Sequence, residues 1–269
     1  MDYIKHFDQV VTWEKKDKIA TISFICPQNQ NKMNEQFVDE FGSALKDAVN
    51  DKDVKVIVMR AEGDVFIGTG DLQLMIAPVM MQSVAAGRKI MHNIGDIVRM
   101  MYRCSKPIIA AVDGLAAGGG CGLTLSADIV IASEKATFNE AIFAQSCLPC
   151  DSGGLWSLQR LVGTMKAKYL ALRPEPVNAQ EALTLGMVAK VVPSDKLYDE
   201  VYALAAYIAA LSPVGVNAIK QISNRMPEYS LDTYLQQEAE YISQGIVSKD
   251  FKELVASIME NRLPEFIGE

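Results

Sequence analysis

Residues 106–138, KPIIAAVDGLAAGGGCGLTLSADIVIASEKATF, contain the pattern that decides the fold of this chain. An apolar strand is followed by a glycine run at 118–120, a short helix near Leu123–Ser126 and further strand-like sequence. Glycines between a strand and a helix let backbone N–H groups point into a cavity, where they stabilise negative charge. The segment therefore predicts a strand–turn–helix unit with an anion-stabilising turn, unless the glycines serve only the tight packing of the connection.

The residues before this segment predict a β-hairpin, a helix and a buried strand. VVTWE (10–14) and KIATISFIC (18–26) are rich in β-branched and aromatic residues and flank a polar turn, as is typical of a hairpin. Apolar residues then recur at helical spacing from about Asn34 to Val49. VKVIVMR (54–60) follows directly and predicts a strand.

Leu72–Tyr102 is a Met-rich apolar stretch that predicts a helix, a loop and a second helix. Pro78 and Gly87 are the expected interruptions. The methionines favour core packing or a subunit contact; the alternative is an adaptable apolar pocket, because the thioether side chain fits irregular surfaces.

The order of elements divides the chain into two regions. Strands alternate with helices as far as VAKVVP, at about residue 192, and residues 194–262 show only helical periodicity. This pattern predicts an α/β core over residues 1–193 and a helical region over residues 194–269.

A second glycine-rich turn, FIGTGDL at residues 66–72, also follows a strand and precedes a helix. Two such turns can supply two backbone N–H donors. A pair of donors that converge on one carbonyl oxygen forms an oxyanion hole, which stabilises an enolate or a tetrahedral intermediate. Neither turn has the spacing of a nucleotide-binding loop, so the two turns together favour carbonyl chemistry.

The composition favours a small-molecule partner. The chain has 269 residues and a formal net charge of −7, from 26 Lys and Arg against 33 Asp and Glu. Such a charge works against an extended basic surface for nucleic acid or for a membrane. The N-terminal segment lacks the apolar core of a signal peptide, and no apolar run reaches the roughly 20 residues that span a bilayer. We therefore expect a cytoplasmic protein with reduced thiols and with no nucleic-acid or membrane partner.

Four further stretches extend the pattern over nearly the whole chain. They are ISFICPQNQNKMN (22–34), VFIGTGDL (65–72), NAQEALTLGMVAKVVP (178–193) and FKELVASIMENRLPEF (251–266). Together with residues 106–138, they make the chain resemble the crotonase, or enoyl-CoA hydratase/isomerase, superfamily. The resemblance implies an α/β spiral of ββα units with a helical C-terminal region that trimerises, giving a homotrimer or a dimer of trimers. It also implies an acyl-CoA thioester as the substrate.

The resemblance also implies positions for the site residues. The thioester oxygen would accept hydrogen bonds from the backbone N–H groups of Gly70 and Gly119, which form the oxyanion hole. Pro27, Gln28, Gly68 and Gly70 fall in the segments that contact coenzyme A and the substrate. Coenzyme A enters as part of the substrate, and no metal or separate cofactor is expected, because backbone dipoles can stabilise a thioester enolate.

The chain departs from the hydratases of this superfamily, which use two glutamates to hold and activate water. The first glutamate would stand where this chain has Gly122. The second would fall near residues 141–143, where no side chain can take a proton. The resemblance is therefore to an atypical member, and a standard two-glutamate hydration of a simple enoyl-CoA is not expected.

Asp151 is the leading candidate for the catalytic residue. Counting back from residues 161–163 places it where the dienoyl-CoA isomerases and the chlorobenzoyl-CoA dehalogenases carry a catalytic aspartate, whereas counting forward from Phe138 requires a one-residue insertion. At the edge of an apolar pocket its pKa would be raised, which suits a general base, and its charged form could also act as a nucleophile. The alternative is that Asp151 caps the helix that starts near Gly153.

Three other features have weaker functional interpretations. Glu140 is expected to be an outward-facing strand residue, and His92, in the region that covers the acyl group in the superfamily, is expected to serve packing. Cys147 and Cys150 form a CxxC pattern, but a redox or zinc site is disfavoured because the chain has no second such pair. We expect these two cysteines to line or support the acyl pocket beside Asp151.

Three functions compete at this point. The first is an acyl-CoA enzyme in which an enolate is stabilised by the oxyanion hole while Asp151 acts as acid and base, giving hydration, dehydration or double-bond isomerisation of an unsaturated acyl-CoA, with alicyclic acyl groups included. The second is an acyl-CoA hydrolase, which opens a cyclic β-keto acyl-CoA or displaces a group through Asp151 as nucleophile. The third is a catalytically silent subunit that binds coenzyme A. We favour the first.

Overall fold

The computed structural model describes residues 7–269. Residues 1–6, with which the segment considered for a signal peptide begins, lie outside the described residues. Within residues 7–269, no single helix is long and apolar enough to cross a membrane. The helix pair 194–210 and 213–228, bent by 111°, has that length and composition only when its two halves are counted together.

Ten strands in the described part of the chain form two sheets, one of six strands and one of four. The strands are β1 (Val11–Lys16), β2 (Ile19–Phe24), β3 (Val56–Ala61), β4 (Val65–Ile67), β5 (Ile108–Val112), β6 (Leu115–Ala117), β7 (Ile129–Ser133), β8 (Thr137–Asn139), β9 (Val177–Asn178) and β10 (Lys190–Val192). The order of the large sheet is β1-β2-β3-β5-β7-β10, and that of the small sheet is β4-β6-β8-β9.

Twelve α-helices accompany the sheets in residues 7–269. They are α1 (Glu35–Asn50), α2 (Gln73–Met80), α3 (Val84–Arg103), α4 (Gly119–Leu125), α5 (Ile142–Gln145), α6 (Gly154–Val162), α7 (Thr164–Leu172), α8 (Ala179–Leu185), α9 (Leu197–Ala210), α10 (Pro213–Arg225), α11 (Leu231–Val247) and α12 (Lys249–Glu260). After β10, this part of the chain is helical apart from loops and turns, as the sequence predicts.

The chain advances by adding one strand to each sheet in turn. β3, β5 and β7 lie side by side and parallel in the large sheet, and each is followed by a strand of the small sheet, which gives the parallel row β4, β6 and β8. Helices follow each pair of strands. This arrangement is the predicted spiral of ββα units, so the predicted fold class is confirmed.

β1 and β2 form the predicted hairpin, in which Val11 pairs with Phe24 and Lys16 with Ile19. The turn consists of Asp17 and Lys18, whose φ angles are 49° and 68°. Two consecutive residues with positive φ match the right-handed twist of the strands that they connect. The polar sequence at this point is therefore compatible with a tight two-residue turn.

Alternate residues of β3 pack on opposite faces of the large sheet. Val56 and Val58 contact the buried side of α9, whereas Ile57 and Met59 belong to the larger core that includes α1. Full burial of each such side chain stabilises the fold by about 1.5–3 kcal/mol. α9 therefore belongs to the packing of the sheet although it lies beyond residue 193, and the predicted boundary at 193/194 stays a prediction.

An aromatic cluster fixes the strand that leads into the second glycine turn. Phe24 of β2 contacts Phe37 and Phe41 of α1 at centroid distances of 5.2 and 5.3 Å. It also contacts Phe66 of β4 at 5.6 Å, ring edge to ring face. Edge-to-face pairs contribute about 0.5–1.5 kcal/mol beyond their buried area. β4 is therefore held in place by the core, which fixes the position of the first residue of the turn that follows.

The break between the first two helices of the Met-rich stretch differs from the prediction. Pro78 lies inside α2 and Gly87 lies inside α3, so neither residue is the interruption. The chain breaks at residues 81–83, where Gln82 has a φ of 46° and the Ser83 hydroxyl accepts a hydrogen bond from the Ala86 N–H at 3.2 Å. Serine is a strong N-cap residue, and here the cap decides where α3 begins.

One face of α11 is apolar and exposed in the single chain. Leu231, Leu235, Ile242 and Ile246 recur at helical spacing and are each about half exposed or more. Contiguous exposed apolar surface of this kind marks interaction sites. It agrees with the expected trimerisation through the C-terminal helices, which stays a prediction.

We predict that the chain of 29.5 kDa forms trimers or hexamers in solution, and that Leu235→Asp together with Ile246→Asp shifts it towards monomer. Two charges on this apolar face would have to be desolvated in a subunit contact. Light scattering after size exclusion measures the mass. Gln236→Glu, on the same helix, is the matched control. A monomeric parent protein, or an unchanged mass in the double variant, would contradict the prediction.

Candidate active site

The two glycine-rich turns meet at the start of α4. A β carbon built on Gly120 would lie 2.5 Å from the carbonyl oxygen of Gly68, which follows β4. Real β carbons do not approach a backbone oxygen so closely, so this contact requires glycine. The structure therefore brings the turn at residues 66–72 into contact with the glycine run at 118–120.

Met33 lies between the two predicted oxyanion donors. Its N–H donates to the Thr69 carbonyl at 3.1 Å and its carbonyl accepts from the Asp71 N–H at 2.8 Å, which makes a parallel bridge to Gly70. In such a bridge the N–H of Gly70 itself points away from Met33. A β carbon on Gly119 would lie 3.0 Å from Met33 Sδ. Gly119 is the first residue of α4, so its N–H has no acceptor within that helix.

Asp151 lies directly beside Gly119. A β carbon on Gly119 would lie 2.6 Å from Asp151 Oδ1, and the Ser152 hydroxyl donates to the same oxygen at 2.9 Å. Burial raises the pKa of the Asp151 carboxyl, and the hydrogen bond from Ser152 opposes part of that rise. A carboxylate with a raised pKa next to a predicted oxyanion donor is suited to take up and return a proton.

The Asp151 side chain does not cap the following helix. α6 begins at Gly154, after Gly153 in the left-handed conformation with a φ of 73°, and no side chain caps it. The backbone carbonyl of Asp151 accepts the Gly154 N–H at 2.7 Å instead. The helix-cap interpretation is therefore wrong for this side chain. Asp151 lines the neighbouring cavity instead.

Asp151 lines a cavity of about 1210 Å³ between α3, α6 and α10. Met75 and Met91 also line it, in agreement with an adaptable apolar pocket. Met80, by contrast, is 79% exposed, and Met101 is fully buried in the core. The Met-rich stretch therefore divides among the pocket, the surface and the core.

An aromatic pair forms another part of the cavity wall. Tyr102 and Trp156 meet edge to face at a centroid distance of 5.0 Å, and the Arg160 guanidinium lies 4.3 Å from the Trp156 ring centroid. These contacts fix the orientation of the indole at the cavity. His92 is exposed on α3, so its expected packing role is wrong in the single chain.

Glu140 is buried, and its expected position on an outward-facing strand surface is wrong. It follows β8, and only 4% of the residue is exposed. Its carboxyl packs on Gly154: a β carbon there would lie 2.8 Å from Glu140 Cδ. The alternation of β8 contained the signal, because Phe138 and Glu140, two residues apart, point to the same side of a strand.

Because Glu140 is buried, its carboxyl titrates at an unusually high pH. In the part of the chain that the structure describes, neither carboxyl oxygen has a hydrogen-bond partner. Burial raises the pKa of Glu140 to about 8; the nearby thiols of Cys150 and Cys121 oppose the rise, and the charge of Asp151 adds to it. At neutral pH Glu140 is therefore an uncharged carboxylic acid behind the turn that carries Asp151.

The turn at residues 151–154 also accounts for the glycine at position 122. A β carbon on Gly122 would lie 2.8 Å from the backbone oxygen of Asp151 and 3.0 Å from the Gly154 nitrogen. A glutamate at this position has no room unless the turn moves. Position 122 and the Asp151 turn are thus coupled by backbone packing.

The two segments predicted to contact coenzyme A are joined to each other by hydrogen bonds. Pro27 and Gln28 are exposed in a short 3₁₀ turn, and the Gly68 N–H donates to the Asn31 carbonyl at 3.2 Å. The buried Asn31 side chain ties this loop together, because its amide accepts from the Cys26 N–H at 2.8 Å and donates to the Val65 carbonyl at 2.7 Å. The sequence pattern alone does not indicate this role of Asn31. The contacts of Pro27, Gln28, Gly68 and Gly70 with coenzyme A stay predictions.

The CxxC pair lies beside the candidate carboxylates. Cys147 is exposed, and Cys150 is partly buried and lines the cavity. Burial, followed by the charge of Glu140, raises the pKa of the Cys150 thiol to about 12. A thiol that stays protonated is a poor nucleophile and a poor metal ligand. The position of Cys150 agrees with the expected supporting role next to Asp151.

Comparisons with known proteins match this chain over nearly its whole length. A sequence model described as enoyl-CoA hydratase/isomerase matches residues 14–269. The 1,2-epoxyphenylacetyl-CoA isomerase of Escherichia coli K12 is 30% identical over 251 residues, which cover 93% of this chain and 95% of that protein. The short-chain-enoyl-CoA hydratase of Clostridium acetobutylicum is 31% identical over 253 residues, covering 94% of this chain and 95% of that protein.

A solved structure shows the same fold. The crystal structure of a putative enoyl-CoA hydratase/isomerase from Mycobacterium abscessus superposes with a TM-score of 0.88 at 26% sequence identity. The match covers 96% of this chain and 100% of that one.

We predict that Gly122→Glu lowers the free energy of unfolding by about 1–3 kcal/mol or more, because the new side chain meets backbone atoms of the 151–154 turn. Urea unfolding followed by circular dichroism measures the change. Gly215→Glu is the matched control, since nothing lies within 4 Å of a β carbon at that helical glycine. Equal stability losses in the two variants would show that the turn does not restrict position 122.

Proposed function

The chain belongs to the enoyl-CoA hydratase/isomerase family, and from that premise we propose that it moves a carbon–carbon double bond in an unsaturated acyl-CoA, with Asp151 as the proton carrier. Family membership makes it an enzyme of acyl-CoA thioesters. The names of its relatives include both isomerase and hydratase, so the choice of reaction depends on the chain's own residues.

The observation that carries the proposal is the contact between Asp151 and Gly119. The enolate of a thioester places negative charge on one oxygen, and backbone N–H groups of Gly70 and Gly119 would stabilise it there. A carboxylate beside that oxygen is close to the carbon atoms that exchange protons. The distance of 2.6 Å from a β carbon on Gly119 to Asp151 Oδ1 supports this arrangement.

Isomerisation needs one group that both takes and returns a proton. Asp151 in its charged form would remove a proton from the carbon next to the thioester, and the electron pair would pass into a dienolate. The protonated Asp151 would then return the proton to the far end of the dienolate, so that the double bond ends one position closer to the thioester. Atoms and charge balance within the substrate and Asp151 alone.

Hydration requires a second acid–base group in addition to Asp151. Water must be activated by one group while another protonates the carbon next to the thioester. Position 122 is a glycine packed on the Asp151 turn, and Glu140 is enclosed beneath that turn rather than lining the cavity. Asp151 and Glu228 are the carboxylates of the described residues that line the cavity, and Asp151 is the one that lies beside Gly119, which favours isomerisation.

The size and lining of the cavity are suited to a bulky apolar acyl group. A volume of about 1210 Å³ is large, and the methionines Met75 and Met91 join the aromatic pair Tyr102 and Trp156 in the lining. Such walls accommodate a ring through apolar and aromatic contact. We therefore propose alicyclic or aromatic unsaturated acyl-CoA esters as the first substrates to test.

We predict that Asp151→Asn lowers kcat by about 10²–10⁴-fold for double-bond isomerisation, with the affinity for acyl-CoA largely kept. The amide has the shape of the carboxyl but cannot take the proton. Substrates are linear, alicyclic and aromatic enoyl- and dienoyl-CoA esters, with products separated by chromatography and weighed by mass spectrometry. Asp199→Asn, at an exposed position on α9, is the control. Unchanged turnover in Asp151→Asn would remove the assignment.

The same assay separates the competing functions. An isomer has an unchanged mass and a new retention time, whereas a gain of one water with the thioester intact indicates a hydratase. Release of free coenzyme A, or opening of a ring, indicates a hydrolase, and incorporation of ¹⁸O from labelled water into the protein identifies a covalent route through Asp151. Binding of every ester with no conversion indicates a silent subunit. A result that indicates a hydratase, a hydrolase or a silent subunit would contradict the proposal.

A further inference from the structure

Glu140 is a buried ionisable group that the proposed reaction does not use. It is 4% exposed, and neither of its carboxyl oxygens has a hydrogen-bond partner in the described range 7–269. An enclosed carboxyl without partners destabilises a fold unless it remains uncharged. A residue of this kind at the back of a candidate active site calls for a functional explanation.

The titratable groups that face Glu140 lie on one helix and one loop. Cys121 lies on α4, and Cys150 and Asp151 lie on the loop that precedes α6. Gly154, at the start of α6, covers the carboxyl: a β carbon on it would lie 2.8 Å from both Cδ and Oε2 of Glu140. The Glu140 carboxyl therefore packs against the Gly154 end of the 151–154 turn, and the charge of Asp151, at the other end, acts on it.

We propose that Glu140 is a positioning residue for Asp151: its uncharged carboxyl supports the 151–154 turn, and its ionisation at alkaline pH displaces that turn and inactivates the enzyme. This inference rests on the proposed role of Asp151. It predicts a loss of activity at alkaline pH that the titration of Asp151 alone does not produce.

The physical reason is the difference in environment between two neighbouring carboxyls. A charge on one of two nearby carboxyls disfavours a charge on the other, so the carboxyl that is more enclosed keeps its proton. Glu140 is enclosed, whereas Asp151 reaches the cavity and accepts a hydrogen bond from Ser152. Below the pKa of Glu140, which burial raises to about 8, Asp151 is the member of the pair that is free to carry the charge.

Ionisation of Glu140 would change the packing around it. The anion would face the thiols of Cys121 and Cys150 and the charge of Asp151, none of which is a cation. It would need water, and the covering Gly154 would have to move to admit it. Because Gly154 and Asp151 are joined by a hydrogen bond of 2.7 Å, the movement would displace the base from Gly119.

Glu140→Gln tests this inference because the amide imitates the shape of the uncharged acid and cannot ionise. For the wild-type protein we expect kcat to fall above a pH of about 8. For Glu140→Gln we expect kcat at neutral pH within about threefold of the wild type and no fall at alkaline pH, with KM little changed in both. Glu134→Gln, an exposed glutamate after β7, is the matched control and should keep the wild-type profile.

A wild-type profile that is flat to a pH of about 9.5, or an alkaline fall that persists in Glu140→Gln, would overturn the inference. A purely structural role for Glu140 would leave the pH profile of the amide variant the same as that of the wild type. The pH profile therefore separates positioning from packing.

A second measurement does not depend on the reaction. The folded state raises the pKa of Glu140 from 4.5 to about 8, so the folded protein binds this proton more tightly than the unfolded chain. The stability that this proton contributes is complete below a pH of about 4.5 and is lost as the pH rises through about 8. The free energy of unfolding of the wild type should thus fall relative to that of Glu140→Gln over this range.

The two measurements distinguish the possible failures. Parallel stability curves would show that Glu140 does not titrate as described, which would overturn the inference whatever reaction the enzyme catalyses. Diverging stability curves together with equal pH profiles of kcat would also overturn it, since ionisation would then not reach Asp151. If the stability curves diverge and no isomerisation of any ester is found, it is the proposed function that fails.

Discussion

The first turn of α4 is packed against backbone on two sides, and the candidate site depends on these contacts. On one side Gly120 meets the carbonyl of Gly68, and on the other side Gly122 meets the carbonyl of Asp151. Between them, Gly119 is in contact with the Asp151 side chain. Because glycine has no β carbon, two separate chain segments can approach one helix start at van der Waals distance. Gly119 and the turn that carries Asp151 are therefore held by backbone packing, which tolerates little displacement.

The features that can be predicted from the sequence are those with local causes. The hairpin follows from two β-rich runs around a polar turn, and α1 from apolar periodicity that begins after its N-cap, Asn34. The glycine turns are recognisable because several glycines between a strand and a helix indicate a close approach of backbone atoms. Asp151 is located by counting from residues 161–163, and its contact with Gly119 agrees with that choice.

The features that the sequence indicates only weakly or not at all depend on distant contacts. Glutamate is seldom fully buried, which favours a surface position for Glu140; it is enclosed because α6 begins with Gly154 directly over it. Asn31 stands in a polar stretch of sequence, yet its amide is buried and joins that loop to β4. For Gly122 the sequence shows only that a glutamate is absent, whereas the packing shows that the 151–154 turn occupies the space instead. In each case the decisive partner lies ten or more residues away along the chain.

The crystal structure of the protein with a saturated acyl-CoA, which has no double bond to move, tests the central claim most directly. We expect the thioester oxygen at about 2.7–3.1 Å from the backbone nitrogens of both Gly70 and Gly119. The Asp151 carboxyl should lie over the carbon atoms next to the thioester, with the acyl chain in the cavity lined by Met91 and Trp156. A thioester oxygen bound elsewhere, or an acyl chain directed away from Asp151, would contradict the account.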